Sequence, residues 1–209
     1  MPQAPAREEI IVAGPDGILE ALLETPAHAT DRRIAILCHP HPQHQGTMLN
    51  KVVHMLARAM NDLGIPALRF NFRGVGGSQG TYAGGIGEVQ DVGAVAKYVR
   101  HRWPDASIWL AGFSFGAVVA ARAAPQINPE RLISIAPAVN ILGRDLAAGI
   151  DSPWLIIQGA LDEIVPAAAV AEWVDSLEPR PELVVLPDAG HFFHGQLTVL
   201  RETLIERLS

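Results

Sequence analysis

Cysteine is nearly absent from this chain of 209 residues, where Cys38 stands alone. A single thiol cannot close an intramolecular disulfide, so the fold must hold without cross-links, which suits a reducing compartment. Basic residues are also short, with 16 Lys and Arg against 22 Asp and Glu and a formal net charge of -6. No Lys/Arg block occurs, so the basic stripe that a nucleic-acid binder presents to phosphates is missing. The N-terminal MPQAPAREEI has no apolar segment and carries Glu8 and Glu9, and no secretory leader is read there. The most apolar stretch, Ile108 to Ala124, is broken by Gly112, Ser114 and Gly116 and contains Arg122. That is too short and too interrupted for a bilayer span, and reads as a buried strand, turn and helix. Linkers, internal repeats and low-complexity tracts are missing too. The expectation is one cytoplasmic domain over residues 1–209, with no nucleic-acid or membrane partner and no assignable oligomeric state.

What is present is alternation. EIIV (Glu9 to Val12) and ILEALLE (Ile18 to Glu24) flank Gly14-Pro15-Asp16-Gly17 and predict an opening hairpin. Continuous apolar runs follow at Arg33–Cys38, Ile65–Phe70, Ser107–Gly112, Arg131–Ala136 and Trp154–Gly159, with Glu182–Leu186 as a sixth. Runs apolar at every position suit strands covered on both faces. Between them, helical spacing predicts helices over Thr47–Leu63, Ile86–Arg102, Ser114–Ile127, Ala167–Leu177 and Phe193–Leu208. The order predicts an α/β fold with a mostly parallel, doubly wound sheet of about eight strands.

Three segments carry chemistry. Gly112-Phe113-Ser114-Phe115-Gly116 is a G-x-S-x-G between a strand and a helix, the context in which a tight turn lifts a serine hydroxyl above a sheet edge. A serine hydroxyl needs a base, and the base needs an orienting acid. Asp162 follows the strand ending at Gly159, with Glu163 beside it as an alternative. His191 follows the last strand, with His194 competing as base and Asp188 as a further acid. Ser114, Asp162 and His191 thus lie after three different strands, on the rim where open α/β sheets place their ligands. The third segment, Cys38-His39-Pro40-His41-Pro42-Gln43-His44, holds H-x-H-x-x-H and raises a metal reading. Gln43 stands where an acidic ligand would be wanted, and the later histidines are better used by the serine, so no metal is assigned. Cys38 ends a buried strand and reads as core.

On these residues the chain resembles the α/β-hydrolase superfamily of serine hydrolases. Asn71-Phe72-Arg73-Gly74-Val75-Gly76-Gly77-Ser78-Gln79-Gly80 resembles that family's R-G-x-G-x-S-x-G segment, where Arg73 would brace the loop. HPHP followed by Gly46-Thr47-Met48-Leu49-Asn50-Lys51-Val52-Val53 is similar to a bacterial subgroup of cap-less hydrolases near the dienelactone-hydrolase-like proteins. Dienelactone hydrolases carry cysteine at the elbow where this chain has Ser114, so their lactone chemistry is not implied. The resemblance implies that Ser114 attacks a carbonyl, His191 takes and returns its proton, and Asp162 orients the imidazole. It further implies an oxyanion held by two backbone amides, from Phe115 and from the loop after Cys38. Pro40 and Pro42 have no amide hydrogen, which leaves His41 as that donor. His39, His44, Tyr82 and Phe113 are candidates to line the site, His39 mainly as a loop anchor.

The interval Pro137 to Pro153 has room for a short helix, such as Leu142 to Ala148, but not for a cap domain. An open cleft without a lid implies a carboxylesterase acting on short-chain or water-soluble esters, with no cofactor. Thioesterase, peptidase or amidase activity on the same fold is the alternative, ahead of a non-catalytic ligand-binding member or a metal-dependent hydrolase.

Overall fold

The opening residues pair with each other before they meet the rest of the sheet. β1 (Ala6–Gly14) and β2 (Gly17–Thr25) form an antiparallel hairpin whose turn pairs Gly14 with Gly17. β2 then lies antiparallel against β4 (Ala67–Phe70), and β3 (Arg33–Cys38) lies parallel between β4 and β5 (Ser107–Phe113). β6 (Arg131–Ile135), β7 (Trp154–Gly159) and β8 (Glu182–Leu186) continue the parallel part. The strand order is β1-β2-β4-β3-β5-β6-β7-β8. The molecule thus has the α/β-hydrolase fold, in a computed structural model that describes residues 4–29, 32–143 and 149–209.

Among the described residues six α-helices flank the sheet: α1 (Lys51–Asp62), α2 (Ile86–Arg102), α3 (Phe115–Ile127), α4 (Val139–Leu142), α5 (Ala167–Asp175) and α6 (Leu197–Leu208). Strand side chains point alternately to opposite faces, so a strand covered on both sides must be apolar throughout. In β3, Ile34, Ile36 and Cys38 belong to the core on the side of α2 and α3, while Ala35 and Leu37 belong to the core on the side of α1. The edge strand β1 has only one covered face, and there Ile10 and Val12 are buried while Ile11 is exposed.

Several helix ends differ from the spacing-based expectation, each for a local reason. α1 begins at Lys51 instead of Thr47 because Asn50 caps it, its side chain accepting the Val52 amide at 2.9 Å. α6 begins at Leu197 instead of Phe193, since Phe193 and Gly195 take left-handed φ values of 51° and 72°. α5 stops at Asp175. The helix expected over Leu142–Ala148 falls largely on residues 144–148, outside the described residues; α4 lies just before it. No helix among the described residues is long and apolar enough to cross a membrane.

Candidate active site

The turn between β5 and α3 is built around an unfavourable backbone. Ser114 has φ 54° and ψ -115°, a region that a side chain rarely occupies and that neighbouring packing must enforce. Its amide bonds the Ile135 carbonyl on β6 at 2.8 Å, and its own carbonyl accepts from Ala117 at 3.1 Å. The flanking glycines are required by contact. A Cβ on Gly112 would lie 2.3 Å from the Gly116 carbonyl oxygen, and one on Gly116 would lie 2.4 Å from the carbonyls of Cys38 and His39. The elbow therefore seats directly on the end of β3, whose Cys38 pairs with Gly112.

Two other strand ends deliver the partners. After β7 the chain turns so that Asp162 faces inward, its Oδ1 accepting the amides of Ile164 at 2.9 Å and Val165 at 2.7 Å. After β8, the loop carrying His191 presses on that turn; a Cβ on Gly159 would lie 2.3 Å from the Ala189 carbonyl oxygen. His191 Nδ1 lies 2.8 Å from Asp162 Oδ2, and its Nε2 lies 3.0 Å from Ser114 Oγ. A carboxylate can only accept, so Nδ1 carries the hydrogen and Nε2 offers its lone pair to the serine. Burial pushes the Asp162 carboxyl up, but the bonds from His191, Val165 and Ile164 outweigh it and hold it below the ordinary range. Such a set can take a proton from a serine as it attacks an electrophilic carbon.

Of the alternative acids, Glu163 faces the backbone amide of His191 at 3.4 Å, not its ring, and Asp188 is exposed. His194 is exposed and stacks on Phe192 at 5.8 Å. Gln158 is a participant that the sequence reading did not single out. Its Nε2 donates to Asp162 Oδ2 and to the Val165 carbonyl, both at 2.9 Å, while its buried Oε1 has no partner among the described residues. The signal was available: Gln158 is the lone polar residue in an otherwise apolar strand, WLIIQG.

The histidine-rich loop folds into a short 3₁₀ turn, Pro42–His44. His39 does not line the cleft. It is fully buried, its Nε2 accepting the Phe72 amide at 3.0 Å and its Nδ1 donating to the Pro40 carbonyl at 2.6 Å. Burial, against the pull of that carbonyl, lowers its pKa to about 4. His41 and His44 lie nearer the surface with ring centroids 4.7 Å apart, and among the described residues no three His, Cys, Asp or Glu side chains form a metal-holding group. Cys38 is buried, and desolvation pushes its thiol well above the ordinary range. The His41 and Phe115 rings are 4.9 Å apart, and neither residue's amide donates to a protein acceptor among the described residues. Phe113 is fully buried, its ring 5.2 Å from His191. Arg73 braces its loop, donating from Nη2 to buried Asp91 at 2.7 Å and from its own backbone amide to the same carboxylate at 3.1 Å.

Two hollows border this rim. One of about 280 Å³ lies between Leu49, Lys51 and Phe192, and one of about 530 Å³ between Ile86, Val89, Ile141 and Arg122. Of the exposed large hydrophobic side chains, Leu49, Ile86, Ile141, Leu161, Ile164 and Phe192 lie in segments that follow the C-terminal ends of strands, as Ser114 does. A third hollow, lined by Glu24, His54 and Arg58, is at the opposite end of the sheet.

Comparison with known proteins bears on this geometry. A family model described as serine aminopeptidase, S33, matches residues 31–145. An α/β serine hydrolase homologue from Coxiella burnetii is 46% identical, superimposes with a TM-score of 0.92 and covers 97% of each chain. An α/β serine hydrolase without lid from Xanthomonas campestris is 44% identical, with a TM-score of 0.89, over 99% of this chain and 94% of that one. An uncharacterized protein of Rickettsia prowazekii is 36% identical, over 88% of this chain and 82% of its own length.

Proposed function

The chain belongs to this α/β-hydrolase family of serine hydrolases, and from that premise we propose that it cleaves carboxylic esters of short or water-soluble acyl groups. The observation that carries the reading is the series of hydrogen bonds from Asp162 through His191 to Ser114. In this mechanism Ser114 Oγ attacks the ester carbonyl as His191 Nε2 takes its proton. The tetrahedral oxyanion is received by the amides of His41 and Phe115, donors fixed in place before the charge develops. His191 then returns the proton to the leaving alcohol, leaving an acyl-enzyme. Water, deprotonated by the same nitrogen, attacks that ester and frees the acid and the serine. Asp162 stays ionised throughout and stabilises the imidazolium. No cofactor enters these steps.

Ester over amide is favoured by the apolar rim, which suits acyl and alcohol groups, and by the absence of a helical lid among the described residues. Water-soluble substrates then reach Ser114 from bulk solution. Amide or peptide cleavage is the second reading, carried by the aminopeptidase description of the matching family, and thioesters would use the same steps.

The experiment is hydrolysis of p-nitrophenyl acetate, butyrate and octanoate by the wild type and by Ser114→Ala, with and without a chelator. Ser114→Ala is expected to lose on the order of 10³-fold or more in kcat while keeping its fold. Full activity in Ser114→Ala, abolished by the chelator, would transfer the chemistry to a metal. Turnover of aminoacyl p-nitroanilides without turnover of esters would establish the peptidase reading instead.

A further inference from the structure

His41 contributes more than a backbone amide to the loop after β3, because both of its ring nitrogens are engaged. Nδ1 lies 3.2 Å from the Gln43 amide nitrogen and accepts its hydrogen, capping the turn Pro42–His44. A ring nitrogen that accepts has no hydrogen of its own, so in the neutral imidazole the hydrogen sits on Nε2. Nε2 lies 3.1 Å from the Tyr82 hydroxyl, and the direction of that bond follows: His41 donates and Tyr82 accepts. Burial, with His44 close by, keeps the imidazole below its ordinary pKa against the opposing pull of Glu88, which favours this neutral form.

Tyr82 is a firm anchor. Its loop is tied to α2 by Glu88, fully buried, whose carboxylate accepts the amides of Ala83 at 2.8 Å and Gly85 at 2.7 Å. The Tyr82 ring centroid lies 5.0 Å from that of His41 and 6.0 Å from that of Phe115, the two residues whose amides receive the oxyanion in the mechanism above. The prolines on each side of His41 can donate no bond, so the peptide carrying its amide is held through acceptors: the Pro40 carbonyl takes the His39 Nδ1 hydrogen at 2.6 Å, and the His41 carbonyl accepts from His44 and Gly46, both at 3.0 Å.

We propose that Tyr82 is a positioning residue for the oxyanion site: by accepting from His41 Nε2 it fixes the imidazole and, together with the hold of His39 on the Pro40 carbonyl, the direction of the His41 backbone amide. The proposal rests on the serine-hydrolase mechanism proposed above and adds to it a residue that touches no reacting atom. An amide aimed at the oxyanion matters in the transition state and little in the ground state, so its misdirection should appear in kcat and not in KM.

The test uses Tyr82→Phe, which keeps the ring and deletes the acceptor, His41→Phe, which keeps the amide and deletes both ring bonds, and the double variant. With p-nitrophenyl butyrate, Tyr82→Phe should lower kcat about 10-fold, less than the roughly 10²–10³ of losing an oxyanion donor outright. KM should stay within about twofold. The double variant should be no slower than His41→Phe alone, since Tyr82 acts only through that ring. Factors that multiply in the double variant would make Tyr82 a direct substrate contact and overturn the proposal. So would an unchanged kcat, or a change confined to KM. Independently of activity, imidazole ¹⁵N shifts of the wild type should show His41 with its hydrogen on Nε2, and the Nδ1–H form would overturn the bond direction. Ser114→Ala in the same assay separates the two levels. If it is inactive while Tyr82→Phe matches wild type, only this inference fails; if it is active, the underlying mechanism fails.

Discussion

Asp162 shows how a single carboxylate is tuned by its donors. Two amides hold Oδ1, while His191 and Gln158 hold Oδ2. Burial alone would favour the neutral acid, and the donors reverse that preference. The Gln158 amide oxygen is buried without a partner among the described residues, at a typical cost of about 1–3 kcal/mol, while its NH₂ serves the charged acceptor. Turning the amide over would satisfy nothing, because its oxygen would then face the carboxylate. Asp162→Asn should therefore act through hydrogen placement. An NH₂ facing His191 would oblige Nδ1 to accept, moving the ring hydrogen to Nε2, where it can no longer receive the serine proton. The expected loss in kcat is on the order of 10³–10⁴ near neutral pH with KM little changed, measured by steady-state hydrolysis. Activity within tenfold of wild type would place the acid elsewhere.

The elbow and the loop after β3 form one packed unit at the level of elements. The missing side chain at Gly116 lets α3 touch the backbone of residues 38–39, where the loop that carries His41 begins. Gly116→Ala would force the end of β3 away from α3. The expected result is a lower urea midpoint, worth about 1–3 kcal/mol, with a loss of kcat larger than the loss of folded protein. Gly93, inside α2, is the control, since a Cβ there meets nothing within 4 Å. Gly93→Ala should stabilise by about 0.5–1 kcal/mol and leave kcat unchanged. Equal behaviour of the two variants would remove packing as the reason for Gly116. Helix identities at this scale were legible from spacing: α2 spans Ile86–Arg102 as its period predicts. The ends of α1 and α6 were not, because a cap at Asn50 and a left-handed Phe193 are local backbone choices that apolar periodicity does not encode.

Across the whole molecule, His39 couples two loops that the sheet order makes neighbours. Its ring joins the end of β3 to Phe72 after β4, and the bond from the Phe72 amide requires Nε2 to be free of a proton, hence the neutral imidazole. The buried ring has its pKa lowered from 6.5 to about 4, so between those values the unfolded chain binds the extra proton and the folded one does not. Stability should rise with pH through this window, and acidification from about 6.5 to about 4 should remove on the order of 3 kcal/mol. Asp162 acts in a lower range: its depressed carboxyl contributes stability above its unfolded pKa of about 3.8 and loses it as pH falls through the folded value. Urea midpoints at about pH 7 and about pH 4.5 should differ more for wild type than for His39→Gln. The same midpoint difference in both proteins would show that His39 is not the group responsible.

Local chemistry is what the sequence alone determined. Apolar runs without alternation announced strands covered on both sides, the Gly-x-Ser-x-Gly between a strand and a helix announced an elbow, and chain order put Ser114, Asp162 and His191 after different strands. Only the tertiary structure decided how these residues meet. Ser114 and His191 are 77 positions apart in the chain, yet their hydrogen bond is 3.0 Å long. That closeness comes from the register of β5 through β8 and from backbone packing at Gly116 and Gly159, where surfaces from distant segments touch. The same reason separates the histidines of CHPHPQHQG. Their spacing suggested one shared task, but a strand end, a buried loop junction and a 3₁₀ turn divide them. His39 is drawn inward to Phe72 and His41 outward to Tyr82, because hydrogen-bond partners are assigned by three-dimensional neighbours and not by distance along the chain.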